Sequence, residues 1–393
     1  MTRRLLVAVF VWAGALQFHP SGQTRAVLPG DPLPGITPVE FSEFRLGLDD
    51  FVEVESAEEG LGPAFNGTSC AVCHNVPAIG GGGMILEVRA GYRDAAGTAT
   101  GLNDVGDTLV HLLSTPLHNC QPAIPDDVNV IARRAPIPLF GAGLVEAIPD
   151  ETLLKLEDPA DRNRDGVSGR AAIVVDVATG TRRVGRFGWK AQHATLLAFG
   201  ADAYRNEMGI TNDLFPNEMA FGISETQMRY CDPFPDPEDR RDPATRRRGI
   251  DNFESFMRLL APIPRSHVDD GTREGERIFA AIGCSTCHVP ALETGPSSHP
   301  VFDRRRVELF SDLLVHDIGT GDGIEQGAAG AHEIRTPALW GLRLRRPLLH
   351  DGSAATISDA IARHGGEATL SVRGFRQLSA EDRDRLLRFL RSL

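Results

Sequence analysis

The chain has 393 residues and a formal net charge of −12. That length excludes a single small domain, and the acidic balance excludes a phosphate-binding face, so nucleic acid is not an expected partner. Apolar residues make up 41% of the sequence, enough for a folded core, while Gly (41) and Pro (26) predict long loops between short elements.

The first 26 residues read as an export signal. Arg3 and Arg4 precede an apolar run from Leu5 to Leu16, and small residues follow near Thr24 to Ala26. The run is shorter than the ~20 residues of a membrane span. No later stretch is apolar enough to cross a bilayer, so the mature chain is expected to be periplasmic or otherwise exported. Thr37-Pro38-Val39-Glu40 is a capping box with proline at the first helical position, and Phe41, Phe44, Leu48 and Phe51 follow at helical spacing.

A Gly-containing loop then leads to Cys70-Ala-Val-Cys73-His74, and the same pattern returns as Cys284-Ser-Thr-Cys287-His288. The second copy follows a helical segment that Asp269 or Asp270 caps, with Gly275, Ile278, Phe279 and Ile282 on one face. Each copy is followed by an Arg-x-Pro element, at Arg134 and Arg335. Each half closes on an amphipathic helix, Asp251 to Pro264 and Ser379 to Leu393. The shared order is an internal duplication. It predicts a signal at 1–26, an N-terminal unit at 27–264, enlarged by an insertion between about 148 and 252, and a C-terminal unit at 265–393.

Cys-x-x-Cys-His is the attachment signature of haem c. Thiols at i and i+3 reach the two vinyl groups, and the next histidine lies under the iron. A thioredoxin-type pair needs no histidine, and a zinc site draws four ligands from neighbouring pairs. Two copies in duplicated surroundings point to two covalently bound haem c groups, with His74 and His288 as proximal ligands. Cys120 and Cys231 remain and are expected to pair as a disulfide in an oxidising compartment. The segment Asp161 to Gly169 carries oxygen ligands at alternate positions and a turn glycine, a calcium-loop pattern whose closing glutamate is replaced by Ala172. The glycine run 80–83 lacks the Lys-Ser/Thr of a phosphate loop and reads as backbone that folds sharply or passes close to haem. Trp189 is either core or a bridge between the haems.

The stretches "EGLGPAFNGTSCAVCHNVPAIGGGG", "GRFGWKAQHATLLAFGADAYRNEMGIT" and "RTPALWGLRLRRPLLHDG" resemble the di-haem oxidoreductase family, related to bacterial di-haem cytochrome c peroxidases and MauG enzymes. The resemblance implies a mainly α fold: two cytochrome c-like haem domains with long loops, the N-terminal one enlarged by an insertion. Among His299, His316, His332, His350 and His364, it puts the distal ligand of the second haem on His364, with His350 nearby. It also implies an acid residue after an Arg-x-x-Pro element over the active haem, which here points to Glu146, with Arg133 stabilising developing charge. The sixth position of the first haem stays open among His111, His118, His193, Met84, Met208 and no ligand at all. Related peroxidases hold calcium between their domains. Electrons are expected to enter at the second haem and chemistry to occur at the first. The implied partners are a small redox protein and an oxidant such as peroxide. The alternative is a non-catalytic electron carrier with both irons six-coordinate.

Overall fold

The computed structural model describes residues 26–95, 99–100, 108–116, 120–218 and 223–393. The expected export signal lies outside the described residues, apart from Ala26. Among them, no helix is long and apolar enough to cross a membrane.

Two helix pairs form the frame. The helix Pro38–Val52 starts at Thr37, whose hydroxyl and the Glu40 carboxylate close the expected capping box, and it buries Phe44 and Phe51. It crosses the helix Gly249–Leu259. In the other half, Asp269 caps the helix Asp270–Ala281, which crosses Ala380–Leu390, itself capped by Ser379. Each crossing passes over a glycine. A Cβ on Gly47 would lie 2.2 Å from the Asn252 carbonyl oxygen, and one on Gly275 would lie 2.0 Å from that of Arg385. The phenylalanines behind the crossings match as well: Phe51 meets Phe256 at 4.8 Å between ring centres, and Phe279 meets Phe389 at 5.3 Å. The duplication is therefore built into the packing.

Helices carry the two largest hydrophobic cores. The larger gathers Phe44, Phe51, Phe140, Leu196, Phe253 and Phe256. The smaller gathers Phe279, Phe310, Phe375, Leu386 and Phe389. Leu292, Phe302, Val307, Leu309, Leu313 and Leu314 follow residue 265 in sequence yet pack into the larger core. Strands are short. The longest, Glu87–Arg93, sits inside a four-stranded antiparallel sheet and pairs with Val130–Arg134 in the register Glu87↔Arg134 and Arg89↔Ala132. Successive side chains of a strand point to opposite faces. Arg134 is thus buried while Arg133 beside it is exposed. Cys120 and Cys231 form the expected disulfide, which ties the loop that precedes Val130–Arg134 to the helix Glu225–Cys231.

The glycine crossings generate a prediction. Gly47→Ala and Gly275→Ala force a methyl group into backbone and should each cost about 1–3 kcal/mol. Thermal unfolding of the two variants measures this, and a melting temperature equal to wild type would show that the crossings tolerate separation.

Candidate functional site

Each Cys-x-x-Cys-His motif opens a single 3₁₀ turn, Cys70–Val72 in one half and Cys284–Thr286 in the other. The turn closes through His74 N–H to the Cys70 carbonyl at 3.1 Å, and His288 N–H to the Cys284 carbonyl at 3.0 Å. It brings two thiols and an imidazole to one wall of a cavity. The two cavities are alike in size. Trp189 lies in the wall of both. Its indole N–H donates to the Ala135 carbonyl at 2.8 Å.

The imidazoles are held alike. His74 donates Nδ1–H to the Gly81 carbonyl at 2.8 Å, and His288 donates Nδ1–H to the Phe310 carbonyl at 3.1 Å. A phenylalanine ring, Phe51 or Phe279, lies 6.2 Å from each imidazole. Burial lowers the pKa of both, His288 to about 4. A neutral ring whose Nδ1 hydrogen is occupied presents the Nε2 lone pair, the usual form of a metal-bound histidine. The glycine run serves this hold: Gly81 accepts the His74 hydrogen bond, and a Cβ on Gly83 would lie 2.1 Å from the Cys73 carbonyl oxygen. The four motif thiols are unpaired. Burial pushes Cys70 and Cys284 up to about 12.

The second cavity carries unbalanced cations, and the first carries a guanidinium, Arg134, that pairs with Asp322 but keeps one donor unused. Arg335 is buried in the second cavity and Arg345 stacks over Trp189 at 5.3 Å; among the described residues neither makes an ion pair. The Nη2 atoms of Arg345 and of Arg134, in the first cavity, are buried without a hydrogen-bond partner. A buried guanidinium without a counter-ion is costly. Two carboxylates on a flat, otherwise apolar group would satisfy these sites, so the residues present fit a haem in each cavity.

The family model described as "Di-haem oxidoreductase, putative peroxidase" matches residues 118–393, about 70% of the chain and including the second motif. The chain belongs to the di-haem oxidoreductase family. It is a peroxidase-type di-haem enzyme family, and haem is its implied cofactor. Among solved structures, the chain is similar to hydrazine synthase of Kuenenia stuttgartiensis at 15% identity, covering 100% of both chains with a TM-score of 0.43. It is similar to the dihaem peroxidase BthA of Burkholderia thailandensis at 15% identity, covering 90% of this chain and 86% of that one with a TM-score of 0.43. A MauG-like protein associated with microbial copper homeostasis matches at 18% identity over 71% of this chain and 94% of its own, with a TM-score of 0.33. These likenesses are remote, and membership rests on the sequence match. No curated protein matches the chain.

In this di-haem oxidoreductase the two cavities differ. In the second, His364 stands with His288, and its Nδ1–H donates to the Ala360 carbonyl at 2.7 Å, which again leaves Nε2 free. His350 lines the same wall. His316 lines it too, but Asp312 and Glu367 take both its ring nitrogens, at 2.9 and 2.8 Å. His299 is exposed against Glu40, and His332 is absent from the lining. Among the described residues, His74 is the only imidazole that lines the first cavity. Met208 lines it as expected, and so does Met257. His193 is bound through Nε2 to Asp202 at 2.9 Å, and His111 through Nε2 to the Asn206 carbonyl at 2.8 Å. Met84 is 69% exposed and stands outside the cavity. His118 lies outside the described residues.

The expected acid and arginine are corrected by one long-range contact and one strand register. Glu146 accepts the Leu196 N–H at 2.7 Å, at the start of the helix Leu196–Met208, and does not line the first cavity. Arg133 points outward, and the neighbouring Arg134 lines the cavity. The carboxyl groups that do face it include Glu207 and Glu87. They are hydrogen-bonded to each other. Asn66 Nδ2 donates to Glu207 at 3.0 Å, and Arg89 grips Glu87 through Nε at 2.8 Å and Nη2 at 3.2 Å. Burial, then the Glu87 charge, raises the Glu207 pKa. Burial opposes ionisation of Glu87, but Arg89 and Arg134 override it and hold that carboxyl below its usual range. One member of the pair is thus an acid and the other a carboxylate. Strand alternation places Glu87, Arg89 and Arg134 on one face, and that period was the available signal.

The calcium pattern finds another use. Asp161 accepts the Gly166 N–H and Asp165 accepts the Val167 N–H, so these carboxylates turn onto their own loop. They belong to none of the acidic clusters tight enough to share an ion among the described residues.

Removing a cavity guanidinium should act on the nearer haem alone. Arg345→Gln should lower the potential of the second haem and leave the first unchanged, because a cation favours the reduced, less positive iron. Spectroelectrochemical titration separates the two, and equal shifts would show that Arg345 senses both cavities.

Proposed function

We propose that the chain is an exported c-type di-haem oxidoreductase of the peroxidase kind, in which electrons enter at the second haem and oxidant chemistry occurs at the first. Units 27–264 and 265–393 would each carry one haem, bonded to Cys70 and Cys73 or to Cys284 and Cys287. The observation that carries the reading is the difference between the cavities. Two neutral imidazoles with free Nε2 atoms, His288 and His364, line the second. Among the described residues, one imidazole and a carboxyl pair line the first. A closed site suits electron transfer, and a site with proton donors suits chemistry.

When bound, the haems supply redox equivalents and a place for peroxide to bind. The chain would do the rest. Glu207 holds a proton at the cavity wall and gives it to a peroxide oxygen. Glu87, clamped by Arg89, keeps that proton on Glu207 and receives one in turn. Arg134 stabilises negative charge that develops on the departing oxygen. Trp189, shared by both walls, would offer a protein link between the two haems. The acidic surface suits a basic redox protein as electron donor.

The alternative is a carrier with both irons closed, which the presence of Met208 and Met257 in the first cavity favours. Two variants decide. Glu207→Gln should cut peroxide turnover by about 10²–10⁴-fold with little change in haem content. His364→Ala should convert the second haem from low spin to high spin. Stopped-flow absorption with hydrogen peroxide reads both. Unchanged turnover in the first variant would remove Glu207 from the reaction, and an unreactive wild-type protein would favour the carrier.

A further inference from the structure

Resting on the peroxidase reading, we propose that Tyr204 and Glu55 form a redox-active pair in the wall of the first cavity, with Tyr204 surrendering an electron toward the first haem as its hydroxyl proton passes to Glu55.

Tyr204 sits on the helix Leu196–Met208, 7% exposed, and lines the cavity that holds His74. Its ring packs edge-on against Phe253 at 4.9 Å. Its hydroxyl donates to Glu55 Oε1 at 2.9 Å. Glu55 is half-buried just beyond the helix Pro38–Val52, where its N–H is anchored on the Thr68 carbonyl at 2.8 Å. One end of the pair therefore faces the cavity, and the other reaches toward solvent. Neither residue is needed to hold an imidazole or to satisfy a cavity guanidinium.

The chemistry follows from the phenol. Burial, with the charges of Glu55 and Asp239, holds the Tyr204 pKa well above its ordinary value, so the group is a neutral phenol. A phenol that loses an electron becomes a strong acid, and it is readily oxidised only where a base already accepts its hydrogen bond. Glu55 is such a base. Burial, reinforced by Glu53, Glu59 and Asp50, pushes it up to about 7, which makes its carboxylate a far better proton acceptor than an exposed one.

The electrons balance with peroxide as oxidant. Hydrogen peroxide takes two electrons and two protons to give two waters. One electron comes from the first haem and one from Tyr204. The Tyr204 proton goes to Glu55, and the protons that complete water come from Glu207 and solvent. The donor that feeds the second haem later returns an electron to the phenoxyl, and Glu55 returns the proton. The pair would hold an oxidising equivalent near the first haem whenever the second haem has no electron to give.

The test is freeze-quench electron paramagnetic resonance of the holoprotein after hydrogen peroxide, with natural and with ring-deuterated tyrosine. Wild type should give an organic radical whose hyperfine pattern collapses on deuteration. Tyr204→Phe should lose it by about tenfold or more, and Glu55→Gln should form it about tenfold more slowly. Haem absorption is followed in the same samples. If the haems respond to peroxide but no tyrosine radical forms, or if the radical persists in Tyr204→Phe, the pair is overturned while the peroxidase reading stands. A radical formed equally fast in Glu55→Gln overturns the role of Glu55. If the haems themselves ignore peroxide, both readings fall.

Discussion

Everything in this structure depends on three imidazoles fixed by one kind of hydrogen bond. His74, His288 and His364 each give Nδ1–H to a backbone carbonyl, from Gly81, Phe310 and Ala360. The bond fixes the ring, selects the tautomer and leaves Nε2 as the only free nitrogen. Desolvation keeps the rings neutral. Around each proximal ring the chain repeats the same device: a glycine-crossed helix pair, a phenylalanine behind the imidazole, and an arginine two residues before a proline.

The repeated frame carries unequal sites. A duplicated cavity would have two imidazoles in each half or one in each. Instead the helix Ile357–Arg363 ends at His364 in the second half, while the first half builds its corresponding wall from the helix Leu196–Met208, which brings Tyr204, Glu207 and Met208. That helix belongs to the insertion. The two pockets share a frame, and the helix Leu196–Met208 sets the first apart from the second. Buried charges join them: Arg134 and Lys190, the residue after Trp189, both pair with Asp322, at 2.7 and 3.1 Å. Such a network holds the two halves in register through groups that tolerate little displacement.

Much of the frame was legible in the sequence because it is written locally. The caps at Thr37, Asp269 and Ser379 use residues within one turn, and each motif spans five positions. The two Arg-x-Pro elements were equally plain. Apart from the Cys120–Cys231 disulfide, what escaped was anything that depends on a partner far along the chain. Arg133 and Arg134 are the same residue type, and only the strand register against Glu87 shows which one turns inward. Glu146 stands at a plausible spacing, yet its carboxylate is claimed by an amide 50 residues away. Tyr204 and Glu55 are separated by 149 positions. In the segment Asp161 to Gly169, the aspartates accept hydrogen bonds from their own loop, as an aspartate-rich turn does.

The central claim is that the two irons differ in ligation, and low-temperature electron paramagnetic resonance of the oxidised protein at rest tests it most directly. The account predicts two signals of equal weight, one high-spin and one low-spin with the g values of paired imidazoles. Two low-spin signals, or two high-spin ones, would contradict it.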